Sequence, residues 1–233
     1  MNILLTGASR GIGAAAYALL RSGGHAVVGH STKGGGDLIA GDLADPSAPR
    51  RIWDEALRRL GGRIDVLVNN AGIYEAVDDS APDGQWQAAW QRTLAVNLTG
   101  AADLCRLAVQ HFRGSGGGRI VNVASRAAFR GDSPRHWHYA ASKAAMIGMT
   151  RTIARGYAAE GILTFAVAPG FTVSEMTEDY LTGRGGAAIL ADIPLGRVTS
   201  TDEVAEAIRW LAIDAPAAST GSVIDLNGAS YVR

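Results

Sequence analysis

The sequence has one cysteine, no excess of charge of either sign and no long apolar run. Cys105 alone cannot form an intramolecular disulfide, which fits a reducing compartment, and its setting in "AADLCRLAVQHF" favours a small buried residue over a nucleophile. The 22 basic and 22 acidic side chains balance, which argues against a broad basic surface for nucleic acid. With neither a membrane-spanning run nor a signal peptide, we expect a cytoplasmic protein that binds no nucleic acid and no membrane.

Short apolar segments alternate with helical patterns along the 233 residues. The strand candidates include "NILLTG", "HAVVGHS", "RIDVLVNNAG", "GRIVNVAS", "ILTFAVAPG" and "GSVIDLNG". Continuous Val, Ile and Leu runs with helices between them are typical of a parallel sheet buried on both faces. The pattern predicts one α/β domain over residues 1–233, a doubly wound parallel sheet in three α/β/α layers. We expect one long helical region from Gln85 to Phe112 and a last helix with Thr201 as its N-cap.

A glycine-rich turn, "TGASRGIG" from Thr6 to Gly13, joins the first strand to the first helix. Glycines allow the backbone to approach a ligand closely, and a helix N-terminus offers free N–H groups to an anion. The spacing differs from the G-x-G-x-x-G fingerprint, and a plain tight turn is the alternative. The strand–turn–helix setting nevertheless predicts dinucleotide binding.

The end of the second strand bears on which dinucleotide binds. A carboxylate there would accept the ribose hydroxyls of NAD and repel a 2′-phosphate. The chain instead has "GHSTK", with His30, Ser31, Thr32 and Lys33, and Arg10 lies in the glycine turn. Hydroxyls and cations favour a phosphate. We therefore expect NADP(H) to be preferred, with NAD(H) possible, although both cations could simply be solvated.

The stretch "HYAASKAA" places Tyr139 and Lys143 one helical turn apart. A tyrosine pKa is ordinarily about 10, and a nearby ammonium group lowers it, so the pair could form a proton donor and its tuning charge. The spacing alone is equally typical of an ordinary helix. The preceding "HWH", His136 to His138, lacks the three or four convergent ligands of a metal site, so we expect no metal and assign these residues to the mouth of a pocket.

Seven motifs occur in one order: "TGASRGIG", "GDLAD", "NNAG", "VNLTG", "GRIVNVAS", "YAASK" and "PG". In this order they resemble the short-chain dehydrogenase/reductase family over nearly the whole chain, and most of all its 3-oxoacyl-[acyl-carrier-protein] reductase-like type. The resemblance implies a Rossmann fold and a catalytic set of Asn97, Ser125, Tyr139 and Lys143. The chain departs from the family pattern between the second strand and "GDLAD", where a glycine-rich segment suggests that the usual helix is stunted or missing.

The expected cofactor-binding residues come partly from the turn and strand ends and partly from the resemblance. They are Gly7, Ser9, Arg10, Gly11, Ile12, Gly13, His30, Ser31, Thr32, Asp42, Leu43, Asn69, Ala71, Gly72, Tyr139, Lys143, Pro169, Gly170, Thr172 and Ser174.

The leading hypothesis is an NADP(H)-dependent oxidoreductase that reduces a ketone or other carbonyl to a secondary alcohol, or catalyses the reverse reaction, with Tyr139 as general acid or base. The alternatives are an NAD-dependent alcohol or diol dehydrogenase and a non-catalytic dinucleotide-binding regulator. Residues 171–195 form a long connection that suggests a substrate loop, with Met176, Tyr180 and Leu181 as candidate contacts. The resemblance also implies a homo-oligomer, a tetramer or a dimer, and a small carbonyl or alcohol as substrate.

Overall fold

The computed structural model describes residues 1–172 and 186–232. The expected cofactor residue Ser174 and the candidate substrate contacts Met176, Tyr180 and Leu181 lie outside these ranges. Within them, seven parallel strands form one sheet in the order β3-β2-β1-β4-β5-β6-β7. The strands are β1 (Asn2–Thr6), β2 (Ala26–Ser31), β3 (Ile39–Ala40), β4 (Val66–Asn69), β5 (Gly118–Val123), β6 (Ile162–Pro169) and β7 (Val223–Leu226).

Helices connect the strands and cover the sheet. They are α1 (Gly11–Ser22), α2 (Ala48–Arg59), α3 (Asp83–Leu94), α4 (Gly100–Ser115), α5 (Ala127–Arg130), α6 (Trp137–Tyr157), α7 (Gly186–Ala191) and α8 (Thr201–Ile213). A π-helical turn spans Ala95–Thr99, and 3₁₀ turns span Ala158–Glu160 and Ala217–Ser219.

Alternation along the strands builds one core on each face of the sheet. Leu4 of β1 and Leu67 of β4 pack towards α2 and α4, in a cluster that includes Phe112. Ile3 and Leu5 of the same first strand pack on the opposite face in a cluster with residues of α1 and α8. Successive strand residues point to opposite faces, so a strand apolar at every position is buried on both sides. The doubly wound, three-layer fold predicted from the sequence is confirmed.

Three local features refine the expectations from sequence. The long helical region is broken, since α3 ends at Leu94 and a π-helical turn precedes α4. The last helix is capped by Ser200 and not by Thr201: the Ser200 hydroxyl accepts from the Glu203 N–H at 3.1 Å, and the Glu203 carboxylate accepts from the Ser200 N–H at 2.8 Å. This reciprocal pair is a capping box. After β2, a glycine turn and the two-residue β3 replace a helix, as the departure from the family suggested.

The sheet topology determines where a site can form. In a parallel sheet the carboxyl ends of the strands share one edge, and the crevice where the strand order reverses is where ligands bind in open α/β sheets. Here β1 and β4 are neighbours while β2 lies on the other side of β1, so the reversal falls between β1 and β4. In residues 1–172 and 186–232, no helix is both long and apolar enough to cross a membrane.

Candidate functional site

The turn between β1 and α1 is a tight backbone cradle. Gly7 has a φ of +69°, and a Cβ on Gly13 would overlap the carbonyl group of Gly7. The Asn70 amide donates to the carbonyl oxygens of Thr6 and Gly7, both at 3.0 Å, and ties the turn to the end of β4. Arg10 occupies the N-cap of α1 without a side-chain capping bond, and the first turn of α1 contains no acidic residue. The first-turn N–H groups and the positive end of the helix dipole suit an anion here.

One cavity of about 730 Å³ runs from this turn along the carboxyl edge of the sheet. Eighteen of the predicted cofactor residues line this cavity: Gly7, Ser9, Arg10, Gly11, Ile12, Gly13, His30, Ser31, Thr32, Asp42, Leu43, Ala71, Gly72, Tyr139, Lys143, Pro169, Gly170 and Thr172. Ser125 of the expected catalytic set lines the same cavity.

Asn69, which the sequence predicts to bind the cofactor, is not among the residues that line the cavity. It is buried in the sheet, where its amide nitrogen donates to the Asn122 side-chain oxygen at 2.9 Å and contacts the Cys105 sulfur at 3.2 Å. The neighbouring Asn70 faces the cavity instead. Successive residues at a strand end point to opposite sides, so the "NNAG" motif did not indicate which asparagine would face the ligand. Other wall residues carry no local signal in the sequence, among them Ile73, Glu75, Arg92 and Val96.

The end of the cavity beside β2 carries cations. Arg10 and Lys33 both line it, and both side chains are exposed. His30 is buried, its Nε2 is hydrogen-bonded to the Gly41 carbonyl at 2.8 Å, and burial lowers its pKa. The Asp42 carboxylate, the one acid of the "GDLAD" segment on this wall, accepts from the Ala44 N–H at 2.9 Å.

Lys143 is the buried charge of the site, with 3 % of its surface exposed. Its Nζ donates to the Val123 carbonyl at the end of β5 at 2.7 Å and lies 5.8 Å from the centre of the Tyr139 ring. Burial lowers the pKa of Lys143 to about 8, because a low-dielectric surrounding disfavours the ammonium form.

Tyr139 and Ser125 meet at the same point. Their hydroxyls are hydrogen-bonded to each other, and the Ser125 oxygen also accepts from the Ala127 N–H at 3.1 Å. Burial raises the pKa of Tyr139 to about 12, the nearby charge of Asp132 adds to the rise, and the Ser125 hydrogen bond opposes it. The helical spacing predicts that Lys143 lowers the pKa of Tyr139; in this structure burial raises that pKa instead, and the Lys143 ammonium donates to the Val123 carbonyl.

Asn97 joins the site through the π-helical turn. Its side chain accepts from the Ile73 N–H at 2.8 Å and donates to the Ile73 carbonyl at 2.9 Å, so it holds the segment after β4 as a backbone partner would. A Cβ on Gly72 would lie 3.4 Å from the Asn97 side-chain oxygen and 3.5 Å from Lys143 Nζ. Asn97 and Lys143 therefore flank the same glycine.

The "PG" segment closes the cavity near the active residues. Gly170 donates its N–H to the Leu226 carbonyl at 2.9 Å, and a Cβ on Gly170 would come within 2.9 Å of the Asn227 Cβ. The Thr172 hydroxyl donates to the Gly170 carbonyl at 3.3 Å. Pro169, Gly170 and Thr172 thus line the cavity together with Tyr139 and Lys143 of α6.

The "HWH" residues do not line the main cavity. His136 and His138 are buried, whereas Trp137 is 51 % exposed. His136 stacks on Tyr74, and the rings of Tyr74 and Tyr139 meet edge to face, so this segment reaches Tyr139 through Tyr74. Tyr74 was missed by the sequence analysis, since nothing local marks it. Among residues 1–172 and 186–232, no group of three or more His, Cys, Asp and Glu side chains could hold a metal ion.

Comparisons with known proteins agree with this geometry. A family model described as enoyl-(acyl carrier protein) reductase matches residues 7–228. The 3-oxoacyl-[acyl-carrier-protein] reductase FabG of Escherichia coli (strain K12) is 33% identical over 241 residues, which cover 98% of this chain and 96% of that protein. The cis-4-hydroxycyclohexanecarboxylate dehydrogenase of Sinomonas cyclohexanicum is 36% identical over 240 residues, which cover 97% and 94% of the two chains.

Among solved structures, a short chain dehydrogenase from Burkholderia cenocepacia J2315 in complex with NADP superposes with a TM-score of 0.88 at 30% identity, covering 98% of this chain and 97% of the other. The aldohexose dehydrogenase of Thermoplasma acidophilum gives a TM-score of 0.88 at 28% identity, covering 99% and 94%. The motif order, the sheet topology and these matches lead to one conclusion: the chain belongs to the short-chain dehydrogenase/reductase family of oxidoreductases.

Proposed function

We propose that the protein is an NADP(H)-dependent carbonyl reductase, in which Tyr139 gives a proton to the oxygen of a ketone as a hydride reaches its carbon. The observation that carries this proposal is the shared cavity, which the glycine cradle, Ser125, Tyr139 and Lys143 all line. The same residues can support alcohol oxidation in reverse. The relatives named as a 3-oxoacyl reductase and a hydroxycyclohexanecarboxylate dehydrogenase also act on carbonyl or hydroxyl carbons.

The cavity fits a dinucleotide phosphate. A Cβ at Gly7 or Gly13 would collide with the protein itself, at Ala71 and Asn70 or at the Gly7 carbonyl, so this tight turn requires glycine at both positions. The first turn of α1 offers N–H donors to the pyrophosphate there. Arg10 and Lys33 border the β2 end, where the 2′-phosphate of NADP would lie. The neighbour from Burkholderia cenocepacia was solved with NADP, which supports the same choice. The bound dihydronicotinamide would supply the hydride.

Four residues of this chain bind the carbonyl oxygen, supply its proton and stabilise the charge that results. Ser125 donates a hydrogen bond to the carbonyl oxygen, where negative charge develops. Tyr139 has a pKa of about 12 and is protonated at neutral pH, so it holds the proton that an alkoxide, a stronger base than phenolate, will accept. Lys143 stabilises the resulting phenolate by its charge, and Asn97 fixes the Gly72–Ile73 backbone beside the Lys143 ammonium.

Tyr139→Phe tests the proposal. The ring and its packing remain while the proton is lost, so we expect kcat for carbonyl reduction to fall by about 10²–10⁴-fold. The Kd for NADPH should stay within about twofold, because the hydroxyl is directed at the substrate oxygen. A panel of open-chain ketones, cyclic ketones and 3-oxo thioesters, followed by NADPH absorbance, identifies the substrate for this measurement. Wild-type turnover in the variant would overturn the proposal.

The same assays decide between the alternatives. Turnover with NADH equal to or faster than with NADPH would favour an NAD-linked dehydrogenase. A non-catalytic regulator would bind NADPH and give no turnover with any member of the panel, whether or not Tyr139 is replaced. Assembly into a tetramer or dimer, and the organisation of residues 1–233 as one domain, stay predictions.

A further inference from the structure

Tyr74 lies against the catalytic tyrosine from a distant part of the chain. It follows β4 by five residues, while Tyr139 lies at the start of α6. The two ring centres are 4.8 Å apart with an angle of 81° between the planes, an edge-to-face contact. Such contacts contribute roughly 0.5–1.5 kcal/mol beyond burial and depend on orientation. The Tyr74 ring therefore restricts the rotation of the Tyr139 ring on this side.

Tyr74 is itself held on two further sides. Its ring stacks on His136, with centres 3.9 Å apart and planes within 3° of parallel. Its hydroxyl donates to the Asp132 carboxylate at 2.9 Å. Both partners belong to the loop between α5 and α6, and both are fixed there: Asp132 accepts from the Ser133 N–H at 2.7 Å, and the Ser133 hydroxyl is hydrogen-bonded to His136 Nδ1 at 2.7 Å.

The two loops are joined again further from the site. Val77 donates its N–H to the Arg135 carbonyl at 3.0 Å, and the Arg135 guanidinium lies 3.3 Å from the Asp78 carboxylate. Hydrogen bonds, an ion pair and a ring stack thus join the segment after β4 to the segment before α6. Because contacts hold both segments, the position of the Tyr74 ring against the Tyr139 ring is fixed.

Chemistry at Tyr139 needs a defined orientation. Its hydroxyl must face both the Ser125 hydroxyl and the substrate oxygen, and a misplacement of about 1 Å can cost about 10²-fold in rate. Ser125 and Lys143 restrain Tyr139 from the side of β5 and α6. A further contact, edge to face, comes from Tyr74 in the segment after β4.

We propose that Tyr74 is a positioning residue, whose ring, stacked on His136 and tied to Asp132, holds the Tyr139 ring with its hydroxyl towards Ser125. This inference rests on the proposed function, because Tyr74 is given the role of orienting Tyr139, the proposed proton donor. It predicts that the ring of Tyr74 matters more than its hydroxyl.

The test compares Tyr74→Leu, Tyr74→Phe and Tyr157→Leu in steady-state reduction of the carbonyl that the panel turns over fastest. Tyr157 is the matched control: it is a partly buried tyrosine near the far end of α6, beside Arg113. Tyr74→Leu removes the edge contact and the stack, and we expect kcat to fall about tenfold while KM for NADPH and for the carbonyl changes less than about twofold. Tyr74→Phe keeps the ring and should recover most of that loss, and Tyr157→Leu should leave kcat unchanged.

Each other outcome has a definite meaning. Equal kcat values for Tyr74→Leu and the control overturn the inference, and so does a change confined to KM, which would make Tyr74 a substrate contact. A fall in melting temperature with unaltered kcat of the folded fraction assigns Tyr74 a structural role and also overturns it. If Tyr139→Phe retains full turnover, the proposed function itself fails; if Tyr139→Phe is inactive while Tyr74→Leu is fully active, only the positioning role fails.

Discussion

The two ends of the cavity are built in different ways. At the β1–α1 end the backbone makes the site: Gly7 and Gly13 leave no room for a Cβ, and α1 offers its N–H groups. At the α6 end side chains make the site, and Ser125, Tyr139 and Lys143 owe their properties to what surrounds them. A backbone site is specified by a short run of residue types, whereas a side-chain site also depends on distant neighbours. The glycine cradle is therefore open to a steric test, and the α6 end to an electrostatic one.

The largest effect should come from placing a methyl group in the cradle. Gly13→Ala puts a Cβ onto the Gly7 carbonyl, and we expect the Kd for NADPH, measured by tryptophan fluorescence, to rise roughly 100-fold. Gly148→Ala on α6 is the control, because a Cβ there would meet no atom within 4 Å. The control should bind normally and gain about 0.5–1 kcal/mol in stability, since alanine is favoured over glycine in a helix. Unchanged binding by Gly13→Ala would mean that the cradle does not approach the cofactor.

The electrostatic end should respond to pH. Lys143 has a pKa lowered to about 8 by burial, so it is charged below pH 8 and neutral above it. Its proposed role needs the charge, so kcat/KM for NADPH, which reports groups of the free enzyme, should be level below pH 8 and fall about tenfold per pH unit above it. Tyr139, with a pKa of about 12, stays protonated across this range and does not contribute to the fall. A profile level to pH 10 would contradict the assignment.

A smaller effect should separate the two cofactors at the β2 end. Arg10→Ala and Lys33→Ala each remove a cation from the wall where a 2′-phosphate would lie. We expect about tenfold weaker NADPH binding for each, the size of one charge-assisted hydrogen bond, with NADH binding within about twofold of wild type. Arg113→Ala, which removes an arginine paired with Glu160 on the far surface, should change neither. Equal losses for both cofactors would show that these cations contact the shared pyrophosphate.

Features set by local spacing could be predicted. The strands follow from apolar runs, and the cradle follows from glycines at fixed positions between a strand and a helix, so the fold and the phosphate end were accessible from the sequence. The Tyr139–Lys143 pair follows from the pitch of a helix. The helix missing after β2 was also visible, because three consecutive glycines, Gly34–Gly36, favour a turn.

Features set by packing between distant segments could not. The sequence suggested one helix through Asn97, but bonds from its side chain to Ile73 accompany a π-helical turn there. "NNAG" did not show that Asn69 would be buried in the sheet with Asn70 facing the cavity. Thr201 looked like a cap, yet Ser200 carries the extended backbone and the reciprocal bonds with Glu203.

The sequence by itself determined the doubly wound sheet and the glycine turn, and it indicated Ser125, Tyr139 and Lys143 as candidate catalytic side chains, because each rests on residue type and on short-range backbone geometry. Only the tertiary structure decided that burial raises the pKa of Tyr139 and lowers that of Lys143, and that Tyr74 lies against the Tyr139 ring. Those properties arise from burial and from contacts between segments 65 residues apart (139 minus 74) along the chain. Burial changes the free energy of a charge, and no spacing in the sequence encodes it.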